Sequence, residues 1–235
     1  MTISTQAYPG PRPVLLIHGL GASGRLNWLD TGVVAALAAA GRGALVVGLP
    51  GHPGGPQVAR GEVSLPSLVA DLAEAVRESG QDQADVFAHS LGARIAWELA
   101  GAGVVRRAVL DALAPLDPFA RLDIAALESV IAGAAAPDPL IGMFAQLVQG
   151  PGLHTASAVA LIEGVGASPF DPAAANRPSV PVLLVAGADD AMARGADQIA
   201  AGLPQGDFIS VPGDHEGALA SPQYARAAIA FVTRP

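Results

Sequence analysis

Ser90 is the residue of this 235-residue chain whose surroundings most clearly predict covalent chemistry. It lies in the pentapeptide 88–92, Ala-His-Ser-Leu-Gly, between an apolar strand-like run at 85–88 and a helix-like stretch at 93–102. A strand that turns sharply into a helix at a serine exposes the hydroxyl and directs the unpaired N–H groups of the helix N-terminus toward it. The small residues two positions before and after the serine let strand and helix approach closely. The pattern is typical of a nucleophilic serine, although a serine that only caps a helix also fits it.

A serine hydroxyl needs a general base, and His215 is the candidate for that role. It follows the strand-like run at 208–211 in a short Pro-Gly-Asp-His loop, where its side chain can reach a neighbouring strand end. A carboxylate beside the imidazole would fix its tautomer and stabilise its charged form. The spacing Gly-x-x-Asp after the preceding strand-like run favours Asp190 as that carboxylate, with Asp111 and Asp189 as alternatives.

The elements that would position these residues alternate along the chain. Apolar strand-like runs lie at about 13–17, 44–49, 84–88, 106–111, 180–186 and 208–211. Helix-like stretches lie at about 28–40, 65–79, 91–102, 193–202 and 216–233. This alternation is typical of an α/β fold, in which helices cover both faces of a parallel sheet. The serine, the acid and the histidine each follow a strand, so we expect them to meet at one edge of that sheet.

Serine, acid and histidine in this chain order, together with His18-Gly19-Leu20-Gly21 after the first strand, resemble the α/β-hydrolase superfamily. The resemblance spans nearly the whole chain. It implies a doubly wound, mostly parallel sheet of about six to eight strands with a small helical lid. It also implies that the backbone N–H groups of Leu20 and Leu91 form an oxyanion hole. Because few residues precede the first strand-like run, we expect the family's two opening antiparallel strands to be largely missing.

The stretch 115–177 interrupts the alternation and is expected to be the lid, which leaves 1–114 and 178–235 as the core domain. It contains three helix-like segments separated by proline and glycine, and no strand-like run. Its apolar side chains either pack the lid onto the core or line a pocket for an apolar substrate. The candidates for substrate contact, two of them outside this stretch, are Gly19, Trp28, Phe119, Met143 and Phe144.

Composition argues against several other kinds of partner. The chain has 13 basic and 21 acidic side chains, a net charge of -8, so nucleic acid and anionic membranes are poor partners. It has no cysteine, which excludes disulfides and thiolate metal sites. No apolar stretch is long enough to span a bilayer, and the N-terminus lacks a signal-peptide pattern, which predicts a cytoplasmic protein. All basic residues are arginine and alanine is abundant, as is typical of a GC-rich bacterial genome.

The sequence predicts neither a cofactor nor a metal. Residues 19–24 match the dinucleotide-binding pattern Gly-x-Gly-x-x-Gly, but the next strand lacks the acidic residue that would bind a ribose. His, Asp and Glu residues are not grouped at metal-ligand spacing. The expected partner is therefore a small-molecule substrate alone.

These observations predict a serine hydrolase that cleaves a carboxylic ester or lactone of a small, largely apolar substrate through an acyl-enzyme. Acyl thioesters are an alternative substrate for the same residues. The C–C bond of a ring-cleavage product is another, because the resemblance extends to a glycine-rich loop followed by Asn27-Trp28. A receptor that keeps the three residues but only binds its ligand is the alternative from another class. No pattern in the sequence predicts the oligomeric state.

Overall fold

The computed structural model describes residues 2–174 and 177–234, and its centre is a seven-stranded sheet. The strands are β1 (Ser4–Tyr8), β2 (Val14–Ile17), β3 (Ala44–Gly48), β4 (Ala84–His89), β5 (Val105–Asp111), β6 (Val182–Gly187) and β7 (Gly206–Val211). Their order across the sheet is β1-β3-β2-β4-β5-β6-β7. All neighbouring pairs are parallel except β1 with β3. The predicted α/β fold with six to eight strands is confirmed.

Helices cover both faces of this sheet. They are α1 (Val33–Ala39), α2 (Leu65–Glu78), α3 (Leu91–Gly101), α4 (Ile124–Ile131), α5 (Pro139–Val148), α6 (Thr155–Gly166), α7 (Ala196–Ala201), α8 (Gly217–Ala220) and α9 (Pro222–Thr233). Leu15 and Ile17 of β2 join an apolar cluster with α2 and α3, whereas Val14 and Leu16 join a second cluster with α1 and α9. Burial on both faces explains why the parallel strands are continuous apolar runs in the sequence.

The expectation that both opening antiparallel strands are largely missing is wrong for one of them. Strand β1 pairs antiparallel with β3, from Ser4 opposite Gly48 to Tyr8 opposite Ala44. Its sequence, Ser-Thr-Gln-Ala-Tyr, has no apolar run, and its three central side chains are exposed. Backbone pairing with β3 therefore holds this edge strand, and hydrophobic periodicity carries little signal for it.

Two predicted helices are divided where the backbone requires it. The stretch 28–40 becomes a π-helical turn (Arg25–Leu29) and α1, separated at Gly32, whose φ is 81°. The stretch 216–233 becomes α8 and α9, because Pro222 lacks an N–H and begins a new helix. Ser221 caps that helix by accepting a hydrogen bond from the N–H of residue 223 at 3.2 Å.

Helices α4, α5 and α6 lie between β5 and β6, within the stretch predicted as an insertion, and we refer to 124–166 as the helical segment. Asp123 and Asp138 cap α4 and α5 by accepting first-turn N–H groups at 3.0 Å. Apolar side chains of all three helices extend the cluster that contains α2 and α3. The predicted core and lid ranges also include residues 1, 175, 176 and 235, which lie outside the described residues. Within the described chain, no helix has both the length and the apolarity to cross a membrane.

Candidate active site

Ser90 occupies the tight turn between β4 and α3. Its φ and ψ are 52° and -114°, a strained conformation for a non-glycine residue, and its N–H donates to the carbonyl of Asp111 at 2.9 Å. Gly92 lies so close to β2 that a Cβ there would stand 2.4 Å from the carbonyl oxygen of Ile17. Helix and strand can approach this closely only because residue 92 has no side chain. The approach holds the Ser90 hydroxyl at the carboxyl edge of the sheet.

His215 and Asp190 reach Ser90 from the ends of the last two strands. Ser90 Oγ lies 2.9 Å from His215 Nε2, and His215 Nδ1 lies 2.9 Å from Asp190 Oδ2. An ionised carboxylate only accepts hydrogen bonds, so Nδ1 carries the ring proton and Nε2 accepts the Ser90 hydroxyl. The structure thus brings together the serine, the histidine and the favoured aspartate of the sequence analysis.

The Asp190 carboxylate is held in its ionised form. Burial raises its pKa, but the hydrogen bond and charge of His215 and the N–H groups of Met192 and Ala193 outweigh burial. These two N–H groups donate to Asp190 Oδ1 at 2.9 and 3.3 Å. The pKa of Asp190 therefore lies below its ordinary value, as suits a group that orients and stabilises an imidazolium.

The two alternative acids lie elsewhere. Asp189 is exposed, and its backbone N–H donates to the carbonyl of Gly213 at 3.0 Å. Asp111 is fully buried at the end of β5, and its Oδ2 lies 2.6 Å from Nδ1 of His89. Asp111 therefore binds the histidine before the serine and not His215.

Leu20 and Leu91 occupy the positions that the family resemblance assigns to an oxyanion hole. Leu91 is the first residue of α3, and the initial N–H groups of a helix have no partner within it. Leu20 follows β2 and lines the same cavity as Ser90. Both N–H groups thus come from segments that adjoin the serine.

Side chains brace the loop 19–21 from behind. The N–H of Gly19 donates to Oδ1 of Asn27 at 3.0 Å, and the N–H of Gly21 donates to Nε2 of His52 at 3.1 Å. A Cβ at residue 19 would stand 2.9 Å from the ring of His89, so the loop needs glycine there. These contacts fix the backbone of the loop on both sides of Leu20.

His18 and His52 are neutral and structural. His18 Nδ1 donates to the carbonyl of Gly19 at 2.8 Å, and its Nε2 accepts the N–H of Leu49 at 3.2 Å. Burial, with a smaller effect from His52, lowers the pKa of His18 to about 3. Burial also lowers the pKa of His52. Both histidines therefore shape loops.

A cavity of about 270 Å³ opens at Ser90 and His215. Its wall is mostly apolar and includes Leu113, Phe119, Met143, Phe144, Leu147 and Phe170. The rings of Phe119 and Phe144 meet edge to face, with centroids 5.6 Å apart. Among the residues predicted to contact a substrate, Phe119, Met143 and Phe144 thus line this cavity, and two of them come from α5.

The other two predicted contact residues, Trp28 and Gly19, do not line the cavity. Trp28 is fully buried in the apolar cluster with α1 and α9, so it packs the core and does not line the cavity. The prediction failed because an aromatic residue after a loop gives the same sequence signal whichever face of the sheet it covers. Gly19 lies beside the serine, since a Cβ at that position would stand 3.3 Å from Ser90 Cβ.

Three charged residues of the cavity wall were missed as contributors to the site: Arg94, Asp117 and Glu216. Asp117 joins two chain segments by accepting the N–H groups of Phe119 at 2.9 Å and Phe170 at 2.7 Å. The guanidinium of Arg94 lies 4.9 Å from the centre of the Phe170 ring. Of these three residues, only Glu216 could have been associated with the site from the sequence, because it directly follows His215.

His89, His215 and Glu216 form a group with ligand atoms within 4.8 Å of one another, as a metal site would require. Both ring nitrogens of His215 already have partners, Ser90 and Asp190. A metal ion bound there would compete with these contacts. The group therefore fits a hydrogen-bond network better than a metal site.

Comparison with known families gives one family whose model matches most of the chain. The family model described as "Alpha/beta hydrolase family" matches residues 14–230. A search of curated proteins found no match.

Solved structures share the same architecture over nearly the whole chain. A Mycobacterium tuberculosis protein described as a non-heme bromoperoxidase superposes with a TM-score of 0.76 and 23% identity, covering 99% of this chain and 96% of that one. A monoacylglycerol lipase from Paleococcus ferrophilus superposes with a TM-score of 0.71 and 21% identity, covering 99% of this chain and 98% of that one. The enol-lactonase from Burkholderia xenovorans superposes with a TM-score of 0.71 and 18% identity, covering 99% of this chain and 96% of that one. At sequence identities of 18–23%, these similarities show a shared fold.

Proposed function

The chain belongs to the α/β hydrolase family, and from this premise we propose that it is a serine hydrolase of carboxylic esters or lactones. The observation that carries the proposal is the continuous hydrogen-bonded series from Ser90 through His215 to Asp190 beside an apolar cavity. A serine hydroxyl is a weak nucleophile, and this series supplies the base and the orienting carboxylate that activate it.

The first half-reaction forms an acyl-enzyme. Ser90 Oγ attacks the ester carbonyl while its proton passes to His215 Nε2, and Asp190 stabilises the imidazolium. The N–H groups of Leu20 and Leu91 hold the oxyanion, a contribution of about 10²–10³ in rate for each donor. The intermediate then collapses, the carbonyl carbon–alcohol oxygen bond breaks, and His215 returns the proton to the departing alcohol.

The second half-reaction restores the enzyme. A water molecule attacks the acyl-serine carbonyl and gives a proton to His215 Nε2. The bond to Ser90 Oγ breaks, the serine recovers its proton, and the carboxylic acid is released. A lactone follows the same steps, except that the alcohol remains part of the product. The cycle needs no cofactor.

The composition of the cavity supports a small, largely apolar acyl group as the substrate. Aromatic and aliphatic side chains make up most of the wall, and a volume of about 270 Å³ suits a small ligand. Because α5 supplies Met143, Phe144 and Leu147, we propose that the helical segment is a lid that sets acyl-chain preference.

A panel of p-nitrophenyl esters with acyl chains of increasing length tests the proposed function. It should include one lactone and one acyl thioester at matched concentrations, with Ser90→Ala as the control variant. We expect saturable ester or lactone turnover that is lost in Ser90→Ala. Turnover of the thioester alone would replace the proposed substrate class, and saturable binding without turnover would indicate a receptor.

A further inference from the structure

A second set of side chains lies beside the Ser90–His215 contact and comes from the ends of β4 and β5 and from the segments that follow β2 and β7. Asp111 Oδ2 lies 2.6 Å from His89 Nδ1, and His89 Nε2 lies 3.5 Å from Glu216 Oε1. Glu216 Oε2 accepts from Asn27 Nδ2 at 3.4 Å, and Asn27 Oδ1 accepts the N–H of Gly19 at 3.0 Å. We call Asp111, His89, Glu216 and Asn27 the second network.

We propose that the second network positions the oxyanion-hole loop and that His89 is its central positioning residue. The role as stated rests on the proposed function, because the loop carries the Leu20 N–H that would bind the oxyanion. Asn27 fixes the peptide that precedes this N–H, and Glu216 in turn orients the amide of Asn27. The network does not touch the reacting atoms and therefore acts through the geometry of the loop.

The surroundings of His89 favour its cationic form. Its Nδ1 lies 2.6 Å from Asp111 Oδ2, whereas its Nε2 has no hydrogen-bond partner among the described residues and lies 3.5 Å from Glu216 Oε1, so the ring stands between two carboxylates. The side chains of His89 and Asp111 are fully buried, so water cannot replace Asp111, whereas 60% of the Glu216 side chain is exposed. A buried imidazolium without a carboxylate beside it would be costly, which favours the contact between His89 and Asp111.

The titration properties of the network agree with this geometry. Burial lowers the pKa of His89, but the hydrogen bond to Asp111 and the nearby carboxylate of Glu216 outweigh burial and raise that pKa to about 9. The contact with His89 lowers the pKa of Glu216, despite its partial burial. His89 also faces His215, whose ring centroid lies 5.1 Å away, and the neutral His18. Burial raises the pKa of Asp111, against the effect of the hydrogen bond and charge of His89, whereas His89 keeps its proton at neutral pH.

Loss of the His89 proton would disconnect the network. The remaining ring proton stays on Nδ1 toward Asp111, so Nε2 would present a lone pair to the carboxylate of Glu216. Repulsion would turn Glu216 away, and Asn27 would lose the partner that orients its amide. Because the oxyanion forms only in the transition state, a loosened loop should lower kcat and leave KM nearly unchanged.

Kinetics of His89→Gln across pH 6 to 10 test this role, with His154→Gln as the control at an exposed histidine. The wild type should lose kcat as the pH rises through about 9. His89→Gln should show kcat about 10–10²-fold lower at pH 7.5, nearly unchanged KM and no alkaline step, because glutamine does not titrate. His154→Gln should match the wild type. An unchanged kcat, or an alkaline step that persists in His89→Gln, would overturn the proposal.

Hydrogen–deuterium exchange of residues 19–21 at pH 7.5 gives a readout that does not depend on turnover. The Gly19 N–H should exchange about tenfold faster in His89→Gln than in the wild type or His154→Gln. Asn27→Ala should show the same acceleration, which keeps the test available if His89→Gln does not fold. Unchanged exchange of the Gly19 N–H in the variants would refute the network. If the variants show the expected faster exchange but the wild type has no esterase activity, only the proposed function is refuted.

Discussion

Asp190 differs from its neighbour Asp189 in each property that an orienting acid needs. Its side chain is buried, two backbone N–H groups hold its Oδ1, and its Oδ2 contacts His215. Asp189 is exposed one position earlier in the same loop. Replacing each of the two aspartates with asparagine therefore compares the same chemical change at adjacent positions of one loop.

Replacing Asp190 with asparagine should lower kcat by about 10⁴-fold with little change in KM, because the amide no longer enforces the reactive tautomer of His215. Asp189→Asn should retain wild-type kinetics. Steady-state kinetics on the best ester of the panel measure both variants, and circular dichroism checks their folds. Equal activity of the two variants would show that Asp190 does not orient the base.

At the scale of single residues, the sequence predicts the site where chemistry and strand ends coincide. Ser90 is recognisable from the small residues around it, and His215 and Asp190 from their positions after strands. Asn27 and Glu216 could not be paired in advance, because they are 189 positions apart and meet only through tertiary structure. The position of Trp28 was mistaken for the related reason that sequence does not reveal which face a side chain covers.

At the scale of elements, the turn from β4 into α3 depends on the close approach of α3 to β2. Gly92 permits this approach, since a Cβ there would lie 2.4 Å from the carbonyl oxygen of Ile17 and 2.7 Å from that of His18. Backbone oxygens cannot move aside as a flexible side chain can. The geometry of the serine turn is therefore sensitive to a single methyl group on the helix.

Gly92→Ala should destabilise the fold by about 1–3 kcal/mol through overpacking and lower activity by displacing the serine turn. Gly142→Ala is the matched control, because a Cβ at that helical position meets only the side chain of Ala136, at 3.3 Å. The control should be neutral or slightly stabilising, since alanine favours helix more than glycine. Thermal unfolding and ester turnover measure both. A Gly92→Ala protein as stable and active as the control would contradict the proposed constraint.

How well the sequence predicts a strand or helix depends on whether side-chain burial or backbone pairing stabilises it. Strands β2 to β6 are buried on both faces, so their apolar runs identify them in the sequence. Strand β1 is an edge strand held by backbone pairing, and no pattern of side chains revealed it. The last predicted helix was divided at Pro222, a residue whose effect on a helix could have been recognised in advance.

At the scale of the whole molecule, two buried histidines set opposite dependences of stability on pH. The pKa of His89 is raised from 6.5 to about 9, so its contribution is full below 6.5 and is lost as the pH rises through 9. The pKa of His18 is lowered from 6.5 to about 3, so its contribution is present above 6.5 and is lost as the pH falls toward 3. Each effect amounts to at most about 1.4 kcal/mol per pH unit within its window.

The melting temperature should therefore be highest near neutral pH and should decline toward pH 9. His89→Gln should remove most of the alkaline decline, because no titrating group remains between Asp111 and Glu216. Calorimetry or fluorescence melting from pH 5 to 10 measures both proteins, with His154→Gln as the control. An alkaline decline of equal slope in His89→Gln would assign it to other groups.

Covalent labelling would show whether Ser90 is a nucleophile that His215 activates. The wild type, Ser90→Ala and His215→Ala should be treated with a fluorophosphonate at pH 7.5 and followed by intact-protein and peptide mass spectrometry. We predict one adduct per wild-type chain, located on Ser90, with none in Ser90→Ala and much slower labelling in His215→Ala. An adduct at another residue, or labelling that persists at the wild-type rate without His215, would show that Ser90 is not the nucleophile that His215 activates.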